Sequence, residues 1–413
     1  MATNHYLTAD ETIAELGISK ATLYSYVSRG LIHSEEVQGK TRVKRYLAED
    51  VARLKQRKEQ RRNPAQAAAN ALHFGDPVLE SAITLIANGQ CYYRGQLAVA
   101  LARSQRFEEV ATLLWTGAFT EETLFAEHVG LPVANLPSLT TPQEQHAHAA
   151  PAEAFQMALL MAAPTDLAAY HYEATAVMRT GARILNLLVQ VVTGTTSTGS
   201  IAQRLQQIWQ PDAPDLSALL DSMLILCADH ELNISSFTAR CVASAGSTPY
   251  AAVVAALAAL QGYRHGGAGE RVAALISEAA MDPHRAIRDR LRRGETVPGF
   301  GHPLYPTGDP RGKLLLALAQ TARPDAPILP VAQAIVDTVA QATQLAPNLD
   351  FGLVVLAQAL NLPAHAPFTL FALGRTAGWI GHIIEQYGLN QVIRPRSRYV
   401  GRLPQQLTID NCQ

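Results

Sequence analysis

Along the first fifty residues, apolar positions recur every three to four places and stop at glycines, which predicts short amphipathic helices. In "TADETIAEL", Ile13 and Leu16 form the apolar stripe, and Thr8 stands where an N-cap belongs. Glu11 follows three residues later, the spacing of a capping box, and Gly17 closes the segment. Ser19 caps a second segment, "KATLYSYVSRG", which Gly30 ends. "LIHSEEVQGKTRVKRY" reads as two strands turning at Gln38-Gly39-Lys40, and "AEDVARLKQRKEQRRN" as a third helix with a basic tail. Asn63-Pro64 opens a linker, "NPAQAAANALHFGDP". Beyond it, Ala- and Leu-rich helical patterns dominate, interrupted by polar loops at 138–151, 194–199 and 296–311. Many of these helices are too apolar for a surface, so the body is expected to be mostly α-helical. The uncharged run after Arg240 has an uninterrupted apolar part only from Tyr250 to Leu260, too short to cross a bilayer. A buried, Ala-rich helix is the expectation there.

Composition adds a division of labour. The 413 residues are 48% hydrophobic and 17% charged, a globular balance with length for two or three domains. The net charge of −1 conceals +4 over residues 1–63 and −5 over the rest, so a small basic head precedes a mildly acidic body. The four cysteines form no C-x-x-C pair, which suits a reduced, cytoplasmic protein without a zinc site. "MATNHYLTAD" has neither a basic start nor an apolar stretch, so no secretion signal and no membrane partner are expected.

The head resembles the winged helix-turn-helix of the MerR and excisionase type through "YLTADETIAELGISKATLYSYVSRGLI" and "RVKRYLAEDVARL". The resemblance implies that Ser19, Lys20, Thr22 and Tyr24 lie on a recognition helix. Arg42, Lys44 and Arg45 would then meet phosphates from the wing, making DNA a partner. The competing reading is a packing or oligomerisation module whose basic tail is simply solvated.

Four clusters in the body carry chemistry. The first is "CADHELNISSFTARCVAS", with His230, Glu231 and Asn233. The second is "YRHGGAGE", with His265. The third is "VPGFGHPLYPTGDPRGKLL", with His302 and Arg311. The fourth joins "NLDFGLVVLAQALNLP", with Asp350, to "FALGRTAGWIGHIIEQ" and "IRPRSRYVG". Taken singly, each histidine reads as a core or surface residue, and Asp350 as a helix N-cap. Taken together they suit other work. Arginines grip carboxylates bidentately, neutral imidazoles donate to a carbonyl or enolate oxygen, and an aspartate removes a proton from carbon. The set points to a di- or tricarboxylate and a carbonyl electrophile.

Those clusters, from about Leu79 to Val400, resemble the citrate synthase family in the motifs "HELNISSFTARCVAS", "HGGAGE", "PGFGHPLYPTGDPR", "NLDFG", "FALGRTAGWIGHIIEQ" and "RPRSRYVG". "ESAITLIANGQCYYRGQLAVALARSQRFEEVATLLWTG" is similar to that family's first large-domain helices. The resemblance implies an all-α fold of large and small helical domains behind the winged helix-turn-helix. On that basis residues 1–62 form the head, 63–265 with 356–413 the large domain, and 266–355 the small domain. It also implies a homodimer with active sites completed across its interface. In this family His265 would donate to the thioester oxygen as acetyl-CoA enolises. Asp350 would remove the methyl proton and His302 would polarise the oxaloacetate carbonyl. His230 would contact substrate, and Arg311, Arg375 and Arg394 would hold carboxylates. Pro298 and Gly299 would lie along CoA, with Arg292 and Arg293 near its phosphates. No cofactor or metal is implied, acetyl-CoA being a co-substrate. The implied reaction joins acetyl-CoA, oxaloacetate and water to give citrate and CoA. Two alternatives stand beside it: a 2-methylcitrate synthase using propionyl-CoA, and a DNA-binding, metabolite-sensing regulator with a synthase-like body.

Overall fold

The computed structural model describes residues 6–29, 31–36, 44–48, 50–51, 54, 79–119, 122–126, 150–213, 215–397 and 399–401. The chain divides into two compact units, Met1–Glu80 and Ser81–Gln413.

In the first unit, β1 (Tyr6–Leu7) leads into α1 (Ala9–Leu16) and α2 (Lys20–Ser28), followed by β2 (Ser34–Glu36) and β3 (Lys44–Leu47). Thr8 Oγ1 accepts from Glu11 N, and the Glu11 carboxylate accepts from Thr8 N at 2.8 Å, completing the capping box. Gly17 ends α1 in the left-handed region, and Ser19 Oγ accepts from Thr22 N to start α2. The strands form an antiparallel sheet of order β1-β3-β2, with Glu36 opposite Lys44. Leu16, Leu23, Ile32, Tyr46 and Val51 make its small core. The expected turn at Gln38-Gly39-Lys40, Gly30, Arg42 and the linker after Asn63 lie outside the described residues. Of the expected third helix only Ala48, Asp50, Val51 and Leu54 are described, all four helical.

The second unit opens on strands where the sequence similarity implies helices. Thr84–Ala87 (β4), Gln90–Tyr93 (β5) and Gln96–Leu97 (β6) form an antiparallel sheet of order β4-β5-β6. The reason is local. Ile83, Thr84, Ile86, Tyr92 and Tyr93 favour a pleated surface, and Asn88-Gly89 takes positive φ at both positions, a hairpin turn. Helices begin only at α3 (Ala98–Ser104) and α4 (Phe107–Thr116). The body is therefore mostly helical rather than all-α.

Helices fill the rest. They are α5 (Pro151–Ala162), α6 (Ala174–Thr193), α7 (Ile201–Trp209), α8 (Leu216–Cys227), α9 (Ile234–Ser244), α10 (Pro249–Leu260), α11 (Ala268–Ala279) and α12 (Pro283–Arg292). Four more follow: α13 (Pro310–Ala322), α14 (Ile328–Thr343), α15 (Leu349–Ala359) and α16 (Ala366–Leu389). Helix α16 is the axis of the core. It is buried without a break from Thr369 to Ile383 and packs on α4, α6, α8, α9 and α10. The uncharged α10 buries Tyr250, Ala252, Val253, Ala256, Leu257 and Leu260, as its composition leads one to expect. No helix among the described residues is long and apolar enough to cross a membrane.

Candidate active site

His230 stands in the short link between α8 and α9. Asn233 caps α9, its Oδ1 accepting from Ser235 N and Ser236 N, while its Nδ2 donates to His230 O at 3.3 Å. Glu231 takes φ +52, so the chain turns sharply just after the histidine. The buried His230 ring shares a 3.0 Å hydrogen bond between Nε2 and Tyr305 OH and meets the His302 ring edge-on, 4.9 Å between centroids. Burial, and then the charge of Arg311, depresses the His230 pKa well below the usual imidazole value.

The loop that carries His302 pairs with the segment just before Asp350. Gly301 N donates to Ala346 O at 2.8 Å, Asn348 N to Gly299 O at 2.9 Å, and Asn348 Nδ2 to Gly301 O at 3.2 Å. Asn348, not Asp350, is the N-cap of α15, accepting from Asp350 N and Phe351 N. The simple N-cap reading of Asp350 is thereby overturned, because a cap two residues earlier leaves its carboxylate uncommitted. That carboxylate has no hydrogen-bond partner among the described residues, and burial pushes its pKa up to about 6. Leu304 N donates to His302 Nδ1 at 3.1 Å, so the neutral ring carries its proton on Nε2. Burial, then Arg311, lowers the His302 pKa and favours that neutral form.

His265 lies in the turn after α10, with Nε2 2.8 Å from Ser235 Oγ. Trp379 Nε1, a donor only, also reaches that oxygen at 3.1 Å, and Asn233 Oδ1 lies 2.8 Å away. The hydroxyl therefore has one proton for two neighbours. Given to Asn233, it leaves His265 protonated on Nε2; given to His265, it leaves the ring proton on Nδ1. Burial, followed by the charge of Arg375, lowers the His265 pKa to about 3, so the ring is neutral at physiological pH. The glycine after His265 has a reason within the chain itself. A Cβ on Gly266 would stand 2.7 Å from Leu260 Cγ and from its carbonyl oxygen.

Two buried arginines complete the cluster. Asp309 binds Arg311 through Nε at 3.0 Å and Nη2 at 2.8 Å, and its Oδ2 also accepts from Leu349 N at the start of α15. Arg311 Nη1 is buried with no hydrogen-bond partner among the described residues. Burial would raise the Asp309 carboxyl, but the bound guanidinium outweighs it and holds the pKa below its ordinary value. Arg375 donates from Nε to Cys227 O at 2.8 Å and lies over the Phe371 ring. The charge of Arg311 reaches His230, His302 and Asp350, and that of Arg375 reaches His230, His265 and Asp350. Three neutral imidazoles, one uncommitted carboxylate and two guanidinium groups thus share one electrostatic neighbourhood.

A family model described as citrate synthase, C-terminal domain, matches residues 74–396. The chain belongs to the citrate synthase family. Citrate synthase of Haloferax volcanii is 38% identical over 192 residues, 45% of this chain and 51% of that protein. 2-Methylcitrate synthase 2 of Corynebacterium glutamicum is 31% identical over 343 residues, 75% of this chain and 88% of that protein. The crystal structure of citrate synthase from Thermotoga maritima matches with a TM-score of 0.67 and 26% identity, over 80% of this chain and 96% of that one. The chain spans about half the length of the first of these relatives.

The remaining residues singled out from the citrate synthase resemblance make none of the contacts of His230, His265, Arg311 and Arg375 described above. Arg394 is exposed on the segment beyond α16. Arg292 is exposed at the end of α12, and Arg293 is bound to Glu295 through Nε and Nη2. Pro298 and Gly299 are buried in the loop that holds His302. Sequence reasoning overlooked Tyr305, Ser235, Asn348, Asp309 and Trp379. Asp309 and Asn348 carried a signal, as polar residues immediately before a helix start. Ser235 and Trp379 carried none, being a small polar residue and an aromatic inside apolar helices.

Proposed function

We propose that this chain condenses acetyl-CoA with oxaloacetate and releases citrate and CoA. The observation that carries the reading is that the uncommitted Asp350 carboxylate and the neutral His265 and His302 all lie in the field of Arg311, Arg375 or both. Asp350 takes a methyl proton from the thioester. A free carboxylate is far too weak a base for that, so the oxygen that gathers charge needs a donor. His265 is that donor once the Ser235 proton is given to its Nε2 and the ring proton sits on Nδ1. The enol carbon attacks the keto carbon of oxaloacetate, whose oxygen accepts from His302 Nε2–H and then takes a proton. Arg311 Nη1 and Arg375 hold substrate carboxylates, and His230 contacts the same substrate. Water then cleaves the thioester, after closure of the small domain (266–355) on the large (63–265 with 356–413) has excluded bulk solvent during condensation. The reading needs no resident cofactor. It includes a homodimer in which the partner subunit's Arg394 completes each site, and Arg292, Arg293, Pro298 and Gly299 meet CoA.

The test is thiol release. Purified protein with both substrates should release CoA, and Asp350→Ala should not. No release from either would end the proposal. Propionyl-CoA assayed alongside tests the second acyl preference, favoured by the similarity to a protein named 2-methylcitrate synthase 2.

We read the head as a winged helix-turn-helix that contacts DNA. Support comes from the Ser19-capped α2, with Lys20 and Tyr24 exposed on it and Thr22 half-buried, and from Lys44 and Arg45 exposed on β3. A salt-sensitive gel shift lost on substituting Lys44 and Arg45 is expected; no shift at low salt defeats the reading.

A further inference from the structure

Asp229 and His382 are completely buried, and the proposed reaction uses neither. His382 Nε2 stands 3.2 Å from Asp229 Oδ1, an ion-pair approach whose alignment falls short of a hydrogen bond, and Thr84 Oγ1 donates to Asp229 Oδ2 at 2.6 Å. Burial alone would raise this carboxyl, but His382 and the hydrogen bonds outweigh it and hold the pKa below its ordinary value.

The pair ends a row of contacts. Along α16, Arg375, Gly378 and His382 are spaced three and four residues apart and share one face. Opposite them stand three consecutive residues. Arg375 Nε donates to Cys227 O at 2.8 Å, Gly378 N donates to Ala228 O at 3.1 Å, and His382 meets Asp229. A Cβ on Gly378 would lie 2.3 Å from Ala228 O and 2.5 Å from Asp229 Oδ1, so this approach requires glycine. From β5, Tyr93 OH holds the same turn, 3.1 Å from both Ile225 O and Asp229 O. The next residue is His230.

We propose that Asp229 and His382 form a positioning clamp that ties residues 227–229 to α16 and so sets the His230 imidazole beside His302 and Tyr305. Without His382 facing it, the buried Asp229 charge keeps Thr84 as its one hydrogen-bonded side chain among the described residues. The turn then relaxes to find water, and His230 moves with it. The kinetic part rests on the reading that His230 contacts the keto acid.

The test compares full-length wild type, His382→Leu, His382→Gln and Asp229→Asn by thiol release, varying oxaloacetate and acetyl-CoA separately. Leucine removes the polar group that faces Asp229, and glutamine restores one. His382→Leu should raise KM for oxaloacetate about tenfold or more, with KM for acetyl-CoA within about twofold, and His382→Gln should return close to wild type. A fall in kcat with both KM values unchanged, or equal behaviour of the two variants, overturns the clamp. Should His382→Leu fail to fold by circular dichroism, Asp229→Asn takes its place with the same expected KM rise, and an unchanged KM there overturns it too. If wild type releases no thiol, the functional reading fails while the clamp stays testable. The His230 ring resonance, assigned by its loss in His230→Asn, should then shift in His382→Leu but not in His382→Gln. A resonance that stays in place in His382→Leu refutes the clamp.

Discussion

Replacing Asp350 by asparagine should stabilise the protein while abolishing turnover. The carboxyl has an ordinary value of 3.8 and is raised by burial to about 6 in the fold. A raised carboxyl binds its proton more tightly in the folded state, so stability is greatest at low pH and falls as pH rises between the two values. Above both, the folded state bears the full cost of the charge, about 3 kcal/mol at 1.36 kcal/mol per unit. At pH 5 the same arithmetic leaves about 1.6 kcal/mol. Asp350→Asn removes the charge at every pH. Its advantage over wild type should therefore reach up to about 3 kcal/mol at pH 8 and shrink by about half at pH 5. With about 2.1 cal/mol/K of unfolding entropy per residue, the larger figure shifts the melting point of the roughly 330-residue second unit by about 4 °C. Scanning calorimetry at both pH values reads the shift, and thiol release reads the loss of turnover, about 10²–10⁴-fold for a missing general base. A variant less stable than wild type at pH 8, or an advantage that does not shrink at pH 5, would refute the picture of a half-buried, uncommitted carboxylate.

Three further predictions follow from the same geometry. The rate at limiting acetyl-CoA should rise with pH through an inflection near 6 as Asp350 ionises, and a flat profile from about pH 5 to 8 would remove it from the base role. Gly299→Ala should destabilise by about 2–3 kcal/mol in denaturant unfolding, because φ is +81 and the new Cβ meets Phe351 Cβ and Val272 Cγ2 at 2.9 Å. An unchanged midpoint would mean that the loop holding His302 is not so tightly seated. Arg375→Ala should weaken oxaloacetate binding about 10²-fold or more in calorimetric titration, since a buried carboxylate loses its partner; an unchanged Kd sinks the assignment.

Much of the local structure was legible in the sequence because its causes lie within a few residues. The Thr8–Glu11 box, the Ser19 cap and the Gly17 stop are contacts between near neighbours, and side-chain type decides them. The burial of α10 followed from its lack of charge. Even the β4–β5 hairpin was announced by Asn88-Gly89 between β-favouring residues, although similarity to a helical family argued the other way. The ordered motifs likewise pointed to His230, His265, His302 and Asp350.

How those residues are arranged was decided only by packing. Ser235 meets His265 across 30 positions and Trp379 across 144, distances that no local preference controls. Asn348 frees the Asp350 carboxylate because the Gly299–Gly301 loop pairs with residues 346–348 and leaves the cap to asparagine. Asp309 ties Arg311 to the start of α15, and α16 places one face against Cys227–Asp229. Burial in that interior also sets the protonation states, raising Asp350 and lowering His265. A sequence specifies which groups exist and how each short segment bends. Distances between remote groups, and the removal of water that makes those distances matter, arise only when the helices close on one another.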